Sequence, residues 1–363
     1  MTAVSDFVHL HVHSEYSVLD GACRLKDIVA TAKAQGMPAV ALTDHGNMYG
    51  AIEFYLAAKE AGITPIIGME SYVAPGSRFD KKAAGISDAS YHLTLLAQSL
   101  EGYKNLIQLS TLGHLEGFYY RPRLDREVMR KYSKGIIALS GCLKGEVASA
   151  IVEGEDAKAQ KLIREHQDIF GPENYYLELH AHGIAEQKGV EKKLIEFSRT
   201  MGVKTGATID FHYVRKTDAQ SHDALLCIQT GTTMSDEKRF KFYNDEFYFK
   251  TAQEMKTLFG EVPESVTNTR EIADRCKVEI PLKGRHLPKF TPPDGKTQQE
   301  YLQALGALNK ARGMGPAMMK QAQQLIDSAR LRLRILGLSE PAIQKMAGWK
   351  EPDQTLLLSG ENG

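Results

Sequence analysis

The sequence has few cysteines, one tryptophan, no excess of either charge and no long apolar run. Its four cysteines contain no CxxC pair, so nothing indicates a disulfide framework. The 45 basic and 45 acidic residues cancel, which excludes an overall bias towards nucleic acid or a membrane, although a local basic patch could still bind phosphate. No apolar run of about 18 residues and no signal-peptide pattern is present. These absences predict a protein of the reducing cytoplasm.

The composition that remains is that of an ordinary globular protein. With 42% hydrophobic and 25% charged residues, a chain of 363 residues has enough material for one large domain or two of ordinary size. Between residues 7 and 209, short apolar stretches typical of strands alternate with stretches of helical spacing. This alternation predicts an α/β fold with a parallel sheet and crossover helices, either open or closed into a barrel.

Beyond residue 217 the pattern changes. Residues 217–290 mix helical stretches with the aromatic segment FKFYNDEFYFK, and KFTPPDGK at 289–296 is typical of a linker. Thr297 and Glu300 form a capping-box pattern at the start of a further helical stretch, whereas the last dozen residues are polar. We therefore expect a barrel domain over residues 1–290, a helical appendage over 291–350 and a disordered tail over 351–363.

The predicted appendage has an apolar stripe but no cluster of acids, histidines or cysteines. It therefore predicts a packed helical accessory rather than a second catalytic centre. Within it, ARLRLRIL alternates like a strand although it lies in a helical stretch, so its secondary structure stays open. The stripe includes Leu302, Leu305, Leu308, Met318, Leu325 and Leu331.

The opening stretch FVHLHVHSEYSVLDG, residues 7–21, has a histidine at every second position. Residues 7–12 are apolar and β-branched enough to predict a strand, whose side chains alternate between faces. His9, His11 and His13 would then project to one side of it. Two imidazoles at i and i+2, roughly 6–7 Å apart at their Cα atoms, can both reach one ion. A pair of hydrogen-bonded histidines at a strand end is the alternative that this motif alone leaves open.

Further side chains that bind metals follow the other predicted strands. Sites in α/β folds form at the carboxyl ends of strands, and nearly every such end here supplies a histidine, an acid or a thiol. Taken singly, Cys142 is more often a buried small residue and His92 a hydrogen-bonded core residue. Asp44 should point away from His45 and either cap a helix or support a ligand. Together these residues predict a cluster of two or three ions. The candidate ligands are His11, His13, Asp20, His45, Glu70, His92, Cys142, Asp210 and His212.

A resemblance makes this pattern more specific. HLHVHSEYSVLDG, ALTDHGNMYG, PIIGME, YHLTLLA, GFYYRPRLD, ALSGCLKGE and IDFHY are similar to successive motifs of the PHP (polymerase and histidinol phosphatase) domain. They are most similar to the form of that domain at the N-terminus of the α subunit of bacterial DNA polymerase III. The resemblance extends over residues 5–295 and implies a distorted seven-stranded (β/α) barrel with three ions. It implies one ion held by His11, His13, Glu70 and Asp210, a second by Asp20, His45 and His212, and a third by Glu70, His92 and Cys142.

The resemblance also implies an activity. A multinuclear site of these ligands suits hydrolysis of phosphate esters, with zinc as the expected metal and manganese or iron as alternatives. Asp20, Glu70 and Asp210 would be the catalytic carboxylates. Arg121 and Arg123 would bind the substrate phosphate, although a solvated basic loop explains them equally well.

The expected activity is that of a 3′–5′ exonuclease of the proofreading type. Its partners would be single-stranded DNA 3′ ends and replisome proteins, with no membrane. Two alternatives are a small-molecule phosphatase of the histidinol-phosphatase type and a non-enzymatic, metal-stabilised replisome scaffold.

The resemblance does not extend to polymerase chemistry. The polymerase family has a catalytic motif of the type PDxDxD in a palm domain, whereas the Pro-Asp pairs here are Pro293-Asp294 and Pro352-Asp353, without further aspartates in that spacing. The sequence therefore predicts no polymerase active site in this chain. Whether the chain is an excised domain or a free-standing protein stays open.

Overall fold

The computed structural model of the protein describes residues 5–82, 85, 89–282, 296–335 and 338–349. The chain divides into two compact units, Met1–Ile280 and Pro281–Gly363. Residues 289–295 of the predicted linker and the predicted tail at 351–363 lie outside the described residues.

The first unit is built on one mixed sheet of eight strands. Its hydrogen-bonded order is β4-β5-β2-β3-β6-β7-β8, with β1 paired to β2. The predicted parallel sheet is wrong at β3, which runs antiparallel to both β2 and β6, and at β4, which runs antiparallel to β5. A parallel neighbour needs a crossover, usually a helix, and no helix is described between β2 and β3. The strands are β1 (Ala39–Leu42), β2 (Thr64–Val73), β3 (Tyr91–Ala97), β4 (Phe118–Tyr119), β5 (Arg121–Leu124), β6 (Ile136–Leu139), β7 (Tyr175–His180) and β8 (Thr205–Thr208).

The opening segment, residues 7–14, joins β1 to the end of β8. The amide of Ala41 donates to the His9 carbonyl at 2.9 Å, and the amide of Thr43 donates to the Val12 carbonyl at 2.9 Å. On the other side, the His13 amide donates to the Phe211 carbonyl at 3.1 Å. With this segment, β1, β2, β3, β6, β7 and β8 form a ring of seven members. The predicted distorted (β/α) barrel is therefore confirmed.

The opening segment is not the regular strand that the sequence predicts, because it forms only single-residue bridges. Val8 and Leu10 pack in one apolar cluster on the same side of the segment. In a regular strand His11 would face the opposite side, but it does not. It points instead into the polar interior described below. The alternation therefore breaks between Leu10 and His11, and His9 falls on the other side from His11.

Ten α-helices are described in the first unit. Most pack their apolar faces on the outside of the sheet, whereas the helix Pro263–Arg275 contributes Ile272 and Ala273 to the apolar cluster that contains Val8 and Leu10. A capping box formed by Thr251 and Glu254 begins the helix Ala252–Leu258. Across the described residues, none of the helices is both long enough and apolar enough to cross a membrane. The helices are α1 (Leu25–Ala34), α2 (Ala51–Ala61), α3 (Leu100–Leu115), α4 (Arg126–Tyr132), α5 (Glu146–Val152), α6 (Asp156–Phe170), α7 (Ala185–Met201), α8 (Ala219–Thr230), α9 (Ala252–Leu258) and α10 (Pro263–Arg275).

The second unit contains the helices α11 (Lys296–Ala311), α12 (Pro316–Ile335) and α13 (Glu340–Met346), which confirms the helical appendage. Residues 329–335 of the ambiguous ARLRLRIL stretch are part of α12, and its last residue, Leu336, lies outside the described residues. The predicted apolar stripe is wrong in part, because Met318, Leu325 and Leu331 are about half exposed, at 47%, 55% and 57%. The buried side of α12 carries other residues. The core of the unit consists of Tyr301, Ala304, Ile326, Ala329, Leu333, Leu338, Ile343 and Met346.

Candidate metal centre

Polar side chains occupy one end of the barrel interior, next to an apolar layer. On β2, Ile66 belongs to the inner apolar cluster, and Glu70, four residues further along the same face, is the polar continuation. On β7, Tyr176 and Glu178 repeat this step from apolar to polar. The barrel therefore brings side chains from several strands to one buried polar layer.

Asp210 follows β8 and contacts two histidines of the opening segment. Its Oδ1 lies 2.9 Å from Nε2 of His13 and 3.4 Å from Nε2 of His11. Asp210 also has a φ angle of +44°, in the left-handed region. Such conformations cost about 1–3 kcal/mol for most residues and occur preferentially at functional sites. The backbone here is bent to direct the carboxylate towards the histidines.

Glu70 is the hub of the cluster and is 1% exposed. Its Oε1 lies 2.7 Å from Nδ1 of His92 and 3.4 Å from Nε2 of His11. Its Oε2 lies 2.5 Å from Nδ1 of His45 and 3.7 Å from Nε2 of His13. One carboxylate thus reaches four imidazoles, which is the geometry expected of a bridging ligand.

The remaining candidate ligands lie around this hub. The Asp20 Oδ2 is 2.8 Å from Nε2 of His45 and 3.8 Å from Nε2 of His212, and the Cys142 Sγ is 3.7 Å from Nδ1 of His92. The Asp20 and His92 side chains are 20% and 19% exposed. The centre is therefore open to solvent on the side of Asp20 and His92.

Hydrogen bonds fix the orientation of three imidazoles. The Nδ1 of His11 lies 2.6 Å from a Glu178 oxygen, and the Nδ1 of His212 lies 2.9 Å from the Asp210 carbonyl. Both partners only accept hydrogen bonds, so each Nδ1 must carry a hydrogen, and in the neutral form of each ring the lone pair lies on Nε2. The Nδ1 of His13 similarly lies 3.0 Å from the Ser17 hydroxyl. These histidines present Nε2 to the centre as metal ligands do.

Asp44 supports the site without entering it, as the sequence predicts. Its buried carboxylate accepts hydrogen bonds from the Ser14 amide at 2.7 Å and from the Ser17 hydroxyl at 2.7 Å. Since the hydroxyl hydrogen of Ser17 points to Asp44, its oxygen accepts from Nδ1 of His13. Asp44 therefore sets the orientation of His13 through Ser17.

Several buried polar atoms of the cluster make no hydrogen bond of regular geometry with another described residue, although some lie close together, with Nδ1 of His45 2.5 Å from Oε2 of Glu70 and Nε2 of His13 2.9 Å from Oδ1 of Asp210. Unpartnered buried nitrogen and oxygen atoms are costly in protein interiors, by about 1–3 kcal/mol each. A divalent cation would satisfy them together, because imidazole nitrogen and carboxylate oxygen are its usual ligands. The donor set of the centre therefore fits metal ions. These atoms are Nε2 of His11, Nε2 of His13, Nδ1 of His45, Oε2 of Glu70 and Oδ1 of Asp210.

The pKa values describe a strongly coupled network of opposite charges. Burial alone would lower the pKa of His11, but Asp210, Glu178 and Glu70 outweigh it and raise that pKa well above its ordinary value. For His13, burial and the neighbouring histidines lower the pKa to about 3. Burial and the nearby carboxylates raise the pKa of the Cys142 thiol. A bound divalent cation would favour the thiolate instead.

The structure brings all nine predicted ligands together, and each lies within 3.8 Å of at least one other. The three implied groups each recur in part, as His11 with His13 and Glu70, as His45 with His212, and as Glu70 with His92. The structure also groups His13 with His45 and His212. Their role as ligands stays a prediction.

The third histidine of the opening segment has a different environment. His9 packs between aromatic rings, 5.0 Å from Phe211 and 4.4 Å from Phe249, and its Nε2 donates to the Lys250 carbonyl at 2.8 Å. Burial lowers its pKa to about 4. His9 is therefore a neutral core residue.

The two predicted phosphate-binding arginines lie in different places. Arg121 is half-buried, with its guanidinium 5.6 Å from the Tyr72 ring, which in turn lies 5.2 Å from the His92 ring. Arg123 is 2% exposed, and its guanidinium donates to carbonyls that include those of Gly117 and Arg78. The structure contradicts a phosphate-binding role for Arg123, because its donors are already used. Arg121 stays a candidate.

Three polar residues of the site were not predicted. Glu178 accepts from His11 and also from the amide of Gly141 at 3.0 Å, and His180 lies 3.2 Å from Glu178. His182 is buried behind them. The segment ELHAH shows the same every-second-residue spacing as the opening segment, and this signal could have identified Glu178 and His180 from the sequence.

Comparison with known proteins gives consistent matches. Residues 9–182 match the family model described as "PHP domain". The DNA polymerase III subunit alpha of Borreliella burgdorferi is 46% identical over 307 residues, which cover 84% of this chain and 27% of that protein. The subunit of the same name from Thermus aquaticus is 42% identical over 346 residues, which cover 92% of this chain and 28% of that protein. The chain thus spans about a quarter of the length of these relatives.

Solved structures also match, at lower similarity. An amidohydrolase of Chromobacterium violaceum has a TM-score of 0.38 and 15% identity, covering 56% of this chain and 87% of that chain. A two-domain protein of Bacteroides vulgatus, which contains a predicted PHP-like metal-dependent phosphoesterase, has a TM-score of 0.35 and 13% identity, covering 74% of this chain and 66% of that chain. Both TM-scores are below 0.5, so these two structures add nothing to the assignment of function.

Proposed function

Because this chain belongs to the PHP domain family, we propose that it is a metal-dependent phosphoesterase that acts on DNA, as a 3′–5′ exonuclease. The observation that carries the proposal is the hub at Glu70, where one buried carboxylate reaches four imidazoles and several of the facing atoms lack a hydrogen bond of regular geometry. The name of the relatives, DNA polymerase III subunit alpha, supports DNA as the substrate. The proposal extends to replisome proteins as partners and to the cytoplasm as the location.

The residues of the centre would have different roles at its buried end and at its exposed side. Glu70 and Asp210, together with His11 and His13, would hold divalent ions at the buried end, with zinc as the first candidate. Asp20, at the exposed side, would face the substrate. Bound ions would supply Lewis acidity and an activated water for attack on phosphorus.

Substrate would enter from the exposed side of the centre. Arg121 lies on this rim through its contact with Tyr72, whose ring is also 5.9 Å from that of His45. A guanidinium here could bind a non-scissile phosphate of the strand. The buried side, at Glu70 and His11, has no room for a polymer.

End-labelled single-stranded DNA tests the proposal. Metal-loaded protein should release nucleotides from the 3′ end, and a chelator should stop the reaction. The Asp210→Asn variant should be inactive, whereas Asp274→Asn, which changes an exposed carboxylate paired with Arg270, should be fully active.

Other results would contradict the proposal. Hydrolysis of small phosphate monoesters but not of DNA would indicate a phosphatase of the histidinol-phosphatase type. Stable metal binding without any hydrolysis would indicate a scaffold.

A further inference from the structure

A cavity of 260 Å³ opens between α8 and residues 241–245, beside the metal centre. Its lining includes the side chains of Gln220, His222, Lys241 and Phe242. Part of it comes from the aromatic segment FKFYNDEFYFK, which the proposed chemistry leaves without a role.

The inner wall of the cavity is the outer surface of the metal centre. His222 is 2% exposed, and its Nε2 donates to the Asp20 carbonyl at 2.7 Å. The Phe242 ring lies 4.7 Å from the His222 ring and 5.0 Å from the His212 ring. A molecule in the cavity would therefore be separated from the candidate ligands Asp20 and His212 by a single layer of side chains.

The lining combines aromatic faces with unused polar groups. Lys241 and Gln220 are exposed, and neither side chain has an ion pair or hydrogen bond to any other described residue. Other polar groups of the wall have partners elsewhere. Asp223 pairs with Arg239, Asp245 pairs with Lys216, and Asn244 donates to the His182 carbonyl. An aromatic face, an amide and a cation are the groups that hold a stacked base, a base edge and a phosphate of a single strand.

We propose that this cavity binds the base of the nucleotide next to the phosphodiester bond at the metal centre. Phe242 provides the stacking surface, Gln220 contacts the base edge and Lys241 contacts the backbone phosphate. Phe240 and Tyr243, which are 55% and 80% exposed, extend the aromatic surface outwards for the next bases. The inference rests on the proposed function, because it requires a nucleotide substrate.

The test compares two short single-stranded oligonucleotides with the metal-loaded full chain. One has an ordinary 3′-terminal nucleotide and the other an abasic 3′-terminal residue, each joined by a phosphorothioate linkage that resists hydrolysis. Fluorescence anisotropy of a 5′ label gives the affinities. The unaltered protein should bind the base-bearing strand about tenfold more tightly than the abasic one.

Variants of the cavity residues test whether the preference for the base-bearing oligonucleotide arises in the cavity. Phe242→Leu should abolish it, Gln220→Ala should reduce it, and Lys241→Gln should weaken both oligonucleotides equally. Phe79→Leu, which changes a 57% exposed phenylalanine beside Arg78, is the matched control and should keep the preference. Because Phe242 contacts His212, the metal content of Phe242→Leu must equal that of the unaltered protein. If it does not, Gln220→Ala decides, since Gln220 lies on the exposed side.

Two outcomes separate this inference from the proposed function. Equal affinity of the unaltered protein for both oligonucleotides, or an unchanged preference in the deciding variant, overturns the base pocket even when the protein cleaves DNA. A base preference that depends on Phe242 or Gln220, in a protein that cleaves no phosphodiester, supports the base pocket and contradicts the proposed exonuclease activity.

Discussion

The Nδ1 of His11 lies 2.6 Å from Oε1 of Glu178, and both side chains are inaccessible to solvent. Glu178 also accepts hydrogen bonds from Thr208 at 2.7 Å and from the Gly141 amide at 3.0 Å. Three strands or strand ends therefore hold one carboxylate in place behind one imidazole. A carboxylate in this position fixes the ring, keeps the hydrogen on Nδ1 and makes Nε2 a stronger ligand.

Replacing Glu178 with glutamine should lower metal affinity by about 10- to 100-fold, because a neutral amide makes His11 a weaker ligand. Competition with a chelator measures this affinity. Glu271→Gln, which changes an exposed partner of Lys204, should bind metal like the unaltered protein. Unchanged affinity in Glu178→Gln would mean that His11 is not a ligand or that its orientation is set elsewhere.

Asp210→Asn should lose at least about 100-fold in hydrolysis while it stays folded, because it removes a charge that holds an ion with little change in shape. Asparagine tolerates the φ angle of +44° at this position nearly as well as aspartate does. Circular dichroism and the melting temperature report the fold, and metal analysis reports the loss of an ion. Full activity in the purified variant would place the reaction elsewhere.

His166 should make the protein sensitive to acid. Burial and the nearby Arg126 lower its pKa from an ordinary 6.5 to about 4, so the native state binds fewer protons than the unfolded chain between these values. The stability that the neutral, buried His166 contributes is therefore fully present above pH 6.5. The free energy of unfolding falls by about 3 kcal/mol as the pH drops to 4. Urea unfolding at several pH values measures this loss.

Substitution isolates the contribution of His166. His166→Gln loses the bond to the Leu162 carbonyl and is less stable at pH 7, but its stability should fall less on acidification. His114→Gln, at a half-buried position, is the matched control. Parallel stability curves for His166→Gln and the unaltered protein would show that His166 does not contribute.

The sequence could predict the cluster because the ligands are residue types that seldom converge by chance. His11, Glu70 and Asp210 lie far apart in the chain, yet alternation of strands and helices brings strand ends to one edge. Their side chains are close together in the structure, as this reasoning requires. Glu178 was missed because an acid inside an apolar strand has no distinctive signal until its neighbour His180 is read with it.

The errors come from local geometry that residue patterns do not encode. A break in alternation after Leu10 turns His11 inward and leaves His9 in the core, although simple periodicity makes them equivalent. Arg123 resembles Arg121 in the sequence, but the fold surrounds Arg123 with carbonyl oxygens. In α12, Ile326 and Leu333 are buried, and the adjacent Leu325 is exposed. Each case depends on tertiary packing.

The last prediction concerns the second unit, which should be dispensable for the chemistry. All nine candidate ligands and the buried apolar clusters around them come from residues before Pro281, whereas the described core of the second unit begins at Tyr301. A protein that ends before Lys296 should therefore keep its metals and hydrolyse a small phosphodiester at an unchanged rate. Metal analysis and a chromogenic phosphodiester measure the two properties. A lower affinity for DNA with unchanged chemistry would make the helices a binding accessory. Retention of the metals with loss of all hydrolysis would contradict the prediction and give the helices a part in the reaction.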